Sequence, residues 1–175
     1  MILIGYDGSD DARAAIAHAG ALMPGSAATV LTVWEALLTQ LTHTPAGLGP
    51  VTGFADLEKV DRATAEHARQ RAQEGVELAR TAGLDATAAT TERHGTIADA
   101  ILDEAERIDA GAIVLGSRGL TGIGSLLLGS VSHAVVQRAD RTVIVVPSPS
   151  VAARRHDRHH DHAGTQQAAG PASAA

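Results

Sequence analysis

The amino-acid sequence predicts an α/β protein built on a doubly wound, five-stranded parallel sheet with helices on both faces. Five short apolar runs alternate with four stretches in which apolar residues recur at helical spacing. The strand-like runs are apolar throughout, which is typical of strands buried on both faces of a parallel sheet. Parallel neighbours need right-handed crossover connections, and the intervening helical stretches supply them.

The first strand and the first helix are marked by clear signals at their ends. Residues 2–6, "ILIGY", form a strand that the turn residues "DGSDD" end. A helix begins at Ser9, a residue type that favours N-caps, and Pro24-Gly25 stops it. The second strand, "ATVLTVW" at residues 28–34, is apolar and β-branched.

A long irregular connection separates the second strand from the second helix. Residues 35–55 contain three glycines and two prolines, and loops of this length are often functional. The helix extends from about Asp56 to Ala82, with Gly83 as its C-cap. A weaker third strand, "ATAATTE", follows at residues 86–92.

The last part of the domain contains two further helix-strand pairs. Thr96-x-x-Asp99 is a capping-box sequence, and it predicts the start of a third helix. Helical spacing predicts that the buried face of this helix is formed by Ile97, Ile101, Ala105 and Ile108. "AIVLG" at residues 112–116 forms the fourth strand, and a helix follows from about Ser130 to Ala139. "TVIVVP" at residues 142–147 forms the fifth strand, so we expect one domain over residues 1–147.

The chain changes character after this domain. Residues 148–175 have no apolar period, so they cannot bury enough surface to offset the entropy of ordering. We expect a disordered tail, rich in His, Arg and Ala, that is dispensable for folding. Its "HDRHHDH" run favours a flexible chain over a weak metal site. The other histidines are scattered without the spacing of metal ligands, so no metal site is expected.

Composition excludes several classes of protein. Of the 175 residues, 45% are hydrophobic and 19% are charged, which suits a globular domain. The net charge of -6 argues against a nucleic-acid partner, which would favour a basic protein. Without cysteine there is neither a disulfide framework nor a thiol nucleophile. No signal peptide and no apolar run of about 20 residues is present, so we expect a cytoplasmic protein without a membrane partner.

Glycine is concentrated between the fourth strand and the fourth helix. "GSRGLTGIGSLLLGS" at residues 116–130 begins where a parallel strand ends and finishes at a helix N-terminus. Ligands of open parallel sheets bind at that edge, and free N–H groups with the helix dipole favour anions there. The stretch lacks the GxxxxGK[ST] of P-loop proteins, the third glycine of GxGxxG and the GxSxG of serine hydrolases. A flexible linker remains the alternative.

The spacing that does fit is G-x2-G-x9-G-[ST], formed by Gly116, Gly119 and Gly129-Ser130. With this motif the sequence resembles the universal stress protein family, in its ATP-binding branch. The resemblance covers about residues 1 to 147 and includes "IGYDGSDDA", "VLTVWE", "HGTIADAIL" and "VIVVP". It implies the strand order 3-2-1-4-5, ATP as the ligand with or without magnesium, and a homodimer formed through Thr142 to Val146.

The resemblance also implies a set of nucleotide-binding residues: Gly5, Tyr6, Asp7, Val33, Leu115, Gly116, Arg118, Gly119, Gly129, Ser130, Val131 and Ser132. Three of them have a structural alternative. Asp7 suits an Asx-turn before "GSDD", Ser130 suits a plain N-cap, and Arg118 could simply be solvated.

The function expected from these residues is ATP binding by a small stress-response or regulatory protein. A dimeric interaction scaffold that does not need nucleotide is the main alternative. A true hydrolase is the weakest interpretation, because no residues form an evident general base for phosphoryl transfer. Any hydrolysis is expected to be slow or dependent on a partner.

Overall fold

The structure, a computed structural model, describes residues 1–36, 54–120 and 128–153. Within these ranges, five strands and four helices alternate along residues 1–146. The strands are β1 (Ile2–Gly5), β2 (Ala27–Trp34), β3 (Asp85–Glu92), β4 (Ala112–Gly116) and β5 (Thr142–Val146). The helices are α1 (Asp10–Leu22), α2 (Phe54–Thr81), α3 (Ile97–Arg107) and α4 (Ser130–Arg138). The bounds differ from the expected ones by a residue or two.

The sheet has the order β3-β2-β1-β4-β5, and all its pairs are parallel. The predicted fold and strand order are therefore confirmed. In the centre, Ile4 of β1 lies beside Val30 of β2 on one side and Val114 of β4 on the other. The chain leaves β1 toward β2 and leaves β4 toward β5, so the order reverses between β1 and β4. Such a switch point opens a crevice at the carboxyl ends of the strands.

Helices cover both faces of the sheet, and each face has its own core. Ile2 and Ile4 of β1 pack against α1 and α2, with Ile16 and Val76 fully buried among them. Leu3, which points to the opposite face, packs with residues of α3 and α4. Successive side chains of a strand point to opposite faces, so a continuously apolar strand fills both cores.

Helix α2 is longer than the sheet it covers. Its 28 residues span about 42 Å, whereas an eight-residue strand spans about 26 Å. The apolar stripe is buried from Ala68 to Ala79, but Val60 near the start of the helix is 43% exposed. Gly83, at φ +88°, ends the helix in the left-handed conformation, as the C-cap prediction requires. None of the described helices is both long and apolar enough to cross a membrane.

Ordered structure continues past Pro147, where we expect the tail to begin. Residues 149–153 form a helical turn, and Ser148 and Val151 are buried. These residues are held because Ser148 hydrogen-bonds the buried Asp11 and Val151 packs inside the domain. Disorder is thus the wrong description of residues 148–153. Residues 154–175 lie outside the described residues, as does most of the expected 35–55 connection, and for them the predictions stay predictions.

Candidate functional site

The candidate site is a cavity of about 400 Å³ at the carboxyl ends of β1, β2 and β4. It opens at the switch point, and its volume lies in the range of small-molecule sites. All the residues implied by the resemblance line it: Gly5, Tyr6, Asp7, Val33, Leu115, Gly116, Arg118, Gly119, Gly129, Ser130, Val131 and Ser132. The fold therefore brings together residues from three distant parts of the chain.

One wall of the cavity is apolar. It consists of Leu31 and Val33 from β2, Leu115 from β4, and Ile97 and Ile101 from α3. Helical spacing predicts that Ile97 is buried in the core, but it is 37% exposed because it borders the opening. An apolar surface of this kind suits a flat heterocycle, which gains from leaving water.

Another part of the cavity is formed by the loop between β4 and α4. The two ends of this loop are joined by hydrogen bonds among Ser117, Gly129 and Ser132, which together form the neck of the loop. The Ser117 carbonyl accepts hydrogen bonds from the Gly129 N–H at 2.7 Å and from the Ser132 hydroxyl at 3.0 Å. The Ser117 N–H donates to the Val146 carbonyl at 2.7 Å, which anchors the neck to β5. Residues 121–127, with Gly122 and Gly124, lie outside the described residues. The hydroxyl of Ser132 thus holds the loop, and its backbone N–H remains for a ligand.

A buried carboxylate stabilises this neck through a hydrogen bond to Ser117. Asp11, in the first turn of α1, is only 6% exposed and accepts a hydrogen bond from the Ser117 hydroxyl at 2.6 Å. Burial opposes ionisation of Asp11, but hydrogen bonds from Ser117 and from the side chain and backbone of Ser148 hold its pKa below the ordinary value. Asp11 is therefore a charged anchor that joins α1, the loop and the segment after β5.

The first turn of α4 is open. Its N-cap is Gly129 (φ -71°, ψ 160°), which has no side chain to accept from the N–H groups of the first turn, and the structure shows no side-chain cap there. Ser130 is the first helical residue, so the interpretation of Ser130 as a plain N-cap is wrong. A helix N-terminus without a cap leaves N–H groups that need an acceptor, and an anion supplies one.

Asp7 connects the two loops that meet at the cavity. One carboxylate oxygen accepts from the Ser9 N–H at 2.9 Å, which is the Asx-turn alternative. The other oxygen accepts from the Leu120 N–H at 3.2 Å. A Cβ on Gly119 would lie 2.7 Å from that same oxygen, so glycine permits the close approach of Asp7. Asp7 therefore positions the Gly119-Leu120 backbone from across the switch point.

Gly116 serves packing as much as any ligand. A Cβ there would lie within 3 Å of the backbone of Asp11 and Ala12. The amino end of α1 can approach β4 only because this position has no side chain. The sequence motif therefore contains one glycine that the fold itself needs.

Tyr6 lies under the cavity and is tied to the rest of the domain. Its hydroxyl donates to the Glu74 carboxylate of α2 at 2.7 Å, and Arg13 lies 5.9 Å from its ring centroid. Burial, together with the hydrogen bond to Glu74, raises the pKa of Tyr6 above its usual range. Tyr6 is thus a neutral donor that fixes the end of β1.

The charges around the cavity favour an anion. Its described lining carries Arg71 and Arg118 against the single carboxylate of Asp7. A neighbouring cavity of about 300 Å³ has the reverse balance: its lining includes Glu92, Asp99, Asp103 and Glu104 with Arg107 as the one arginine. The sequence resemblance does not include Arg71, which comes from α2.

The fold and the cavity define an open α/β protein with a cavity at its switch point whose described lining carries two arginines and one carboxylate. Its sequence matches the model of the universal stress protein family over residues 1–147. The chain belongs to this family.

Individual relatives match over most of their length. A universal stress protein encoded in the 3' region of the QAH/OAS sulfhydrylase of Thermus aquaticus is 35% identical over 147 residues, 83% of this chain and 96% of that protein. The structure of the universal stress protein UspA from Lactobacillus plantarum shares 25% identity at a TM-score of 0.64, covering 83% of this chain and 95% of that one. A universal stress protein solved in complex with cAMP shares 25% identity at a TM-score of 0.58, with 84% and 96% covered.

Proposed function

We propose that this protein binds ATP in the cavity between β1, β2 and β4 and acts as a regulatory protein. The observation that carries the proposal is the uncapped first turn of α4, which faces a cavity with two arginines. Each charge-assisted hydrogen bond to a phosphate contributes about 1.5–3 kcal/mol, so several together suffice for micromolar affinity, about -8 kcal/mol.

The two halves of the cavity match the two halves of a nucleotide. The apolar wall of Leu31, Val33 and Ile101 suits the base, and Val33 supplies backbone groups beside it. The Gly119-Leu120 backbone and the start of α4 suit the phosphates. The cAMP complex of a related protein supports a nucleotide as the ligand class.

Hydrolysis is a minor activity in this proposal. Asp7 is the one carboxylate in the described lining of the cavity, and both its oxygens already accept backbone hydrogen bonds. A general base needs a free position beside the attacking water. A magnesium ion, where present, would be held mainly by the phosphate oxygens and water, since both Asp7 oxygens already accept hydrogen bonds.

The proposal is tested on the purified full-length chain. Mass spectrometry of small molecules released from fresh protein identifies a bound nucleotide, and titration calorimetry with ATP measures its affinity. We expect ATP to be released or to bind with micromolar affinity. A chain that releases no nucleotide and gives no heat with ATP, AMP or cAMP contradicts the proposal and favours the scaffold.

A substitution in the loop sharpens this test. Gly119→Val places a branched side chain against the Asp7 carboxylate and into the cavity. It should weaken ATP binding at least tenfold, which corresponds to about 1.4 kcal/mol. The protein should stay folded and keep its dimer mass in light scattering, because Gly119 is exposed. If the melting temperature falls and ATP affinity does not, the glycine serves the turn alone.

We also propose that the protein is a homodimer through β5. The two edges of the sheet differ: β5 exposes part of the apolar run "TVIVV", whereas the other edge, β3, reads "DATAATTE". An apolar edge strand invites pairing with another copy. Light scattering at micromolar concentration should give the dimer mass, and a monomer mass would contradict this assembly. The cytoplasmic location stays a prediction.

A further inference from the structure

The arginines of the described ranges are unevenly paired. Ten are present, and seven form ion pairs with carboxylates: Arg13, Arg69, Arg80, Arg93, Arg107, Arg138 and Arg141. The guanidinium groups of Arg62, Arg71 and Arg118 make no hydrogen bond or ion pair with a described residue. Two of these three, Arg71 and Arg118, line the candidate cavity. The unpaired positive charge is thus concentrated at the proposed ligand site.

Arg71 reaches the cavity from α2, whereas Arg118 belongs to the loop after β4. It extends from α2 across the turn after β1, where its Nε and Cδ lie 3.4 and 3.7 Å from the Cβ position of Gly8. Gly8 has φ +83°, a left-handed conformation that favours glycine, and the missing Cβ also leaves room for the Arg71 side chain. The guanidinium carbon Cζ lies 4.0 Å from the same Cβ position, so the guanidinium group lies beside the turn that follows Asp7 and lines the cavity.

The charge of Arg71 helps to lower the pKa of Glu74, the nearest carboxylate on the same helix, but the two side chains form no hydrogen bond. Glu74 accepts hydrogen bonds from the Tyr6 hydroxyl at 2.7 Å and from Arg13 at 2.6 Å through the same oxygen. Asp7 accepts from backbone N–H groups on both oxygens. Neither carboxylate therefore takes up the donors of Arg71, which lines the cavity, and these donors are available to an anion.

We propose that Arg71 contacts the phosphate chain of the ligand and selects nucleotides by their number of phosphates. This inference rests on the proposed nucleotide function. A single phosphate at the start of α4 is served by the N–H groups there and by Arg118. A longer phosphate chain carries more negative charge over a greater length and gains from a second guanidinium, whose planar donors match phosphate oxygens.

The test compares two arginines of the same helix. Titration calorimetry at one ionic strength measures ATP, ADP and AMP binding to the full chain and to its Arg71→Gln and Arg62→Gln variants. Arg62 is also exposed and unpaired among the described residues but lies outside the cavity lining, so its variant controls for the loss of one charge. We expect Arg71→Gln to weaken ATP at least tenfold and AMP less than twofold, with Arg62→Gln within twofold throughout.

Further measurements separate contact from general structure. Arg71→Lys keeps the charge but loses the bidentate donors, and it should recover part of the ATP affinity. Inorganic triphosphate should compete with ATP on the wild type and compete less on Arg71→Gln. Equal losses for AMP and ATP, or identical behaviour of the two glutamine variants, would overturn the role of Arg71. A wild type that binds no nucleotide would overturn the proposed function as well.

Discussion

Helices α3 and α4 begin at the same edge of the sheet and on the same face, yet their first turns are satisfied differently. In α3 the Thr96 hydroxyl accepts from the Asp99 N–H at 3.1 Å, and the Asp99 carboxylate accepts from the Thr96 N–H at 2.8 Å. In α4 the N-cap is Gly129 and no side chain closes the turn. The capped end belongs to the acidic cavity and the open end to the cavity with two arginines.

This difference indicates which helix N-termini of such a fold are suited to bind an anion. The strand-loop-helix geometry is common to both, so geometry alone does not distinguish them. What distinguishes them is whether the chain supplies its own carboxylate. At α3 the chain fills the position that an anion would occupy, whereas at α4 no described side chain fills it.

Giving α4 the cap of α3 should produce the largest effect. Gly129→Asp places a carboxylate at the N-cap, in a conformation that any residue adopts and with its Cβ no closer than 3.4 Å to other atoms. The carboxylate accepts the free N–H groups and repels phosphate. ATP affinity measured by calorimetry should fall at least a hundredfold, about 2.7 kcal/mol. Gly129→Ala, the uncharged control, should bind ATP within about threefold of wild type.

The outcome for stability makes this prediction specific. Aspartate is a favoured N-cap, so Gly129→Asp should unfold at an equal or higher denaturant concentration than wild type. Lost binding together with lost stability would mean that the loop collapsed, and the comparison between the two helix ends would fail.

The second prediction concerns how each helix end is supported. The α3 end supports itself, whereas the neck before α4 depends on Asp11 and on Ser148 beyond β5. A chain ending at Pro147 removes donors from a buried carboxylate and also removes the buried Val151. It should lose about 2 kcal/mol of unfolding free energy, or about 4–8 °C in melting temperature.

A chain ending at Ala153 is the matched control. It keeps Ser148 and the helical turn, so its melting temperature should equal that of the whole chain. Equal melting temperatures for the two shortened chains would show that the Ser148 contact contributes nothing measurable.

The sequence predicts the sheet well because apolar runs and helix signals are local. The motif spacing also brings Gly119 and Gly129 to one cavity, since strand ends of a parallel sheet meet at one edge. It does not reveal which acid of the first α1 turn is buried. Asp10 and Asp11 are adjacent, and only the packing of α1 against β4 turns Asp11 inward.

Arg71 is missed for a related reason. It is one of four arginines on a helix of 28 residues, and nothing in the local pattern singles it out. Its role depends on which turn of α2 passes the switch point, which is a property of the assembled layers. Ile97 is an error of the opposite kind: the helical spacing is correct and predicts a core residue, but the structure places Ile97 at the border of the cavity.

A smaller effect is expected when the α3 cap is removed. Thr96→Ala deletes the hydroxyl that accepts from Asp99 N–H, and such losses cost about 1 kcal/mol. Denaturant unfolding should show this loss, and ATP affinity should stay within about twofold. A tenfold loss of ATP affinity would mean that the α3 cap also supports the proposed ATP site, whose lining includes Ile97 of α3.

The smallest effect is a pH dependence confined to the capped end. Hydrogen bonds from the Thr96 side chain and backbone, and then from Arg138, lower the pKa of Asp99 from 3.8 to about 2. Because the folded pKa lies below the ordinary one, the carboxylate stabilises the protein fully above pH 3.8, and this contribution disappears as the pH falls toward 2.

Asp99→Asn lacks the titrating group. The melting temperature of wild type should therefore exceed that of Asp99→Asn at pH 6 by a small margin that shrinks between pH 4 and pH 2. Arg138 is half-exposed, so salt should reduce the margin. A margin that stays constant over this pH range would show that the Asp99 charge does not contribute to closing the α3 end.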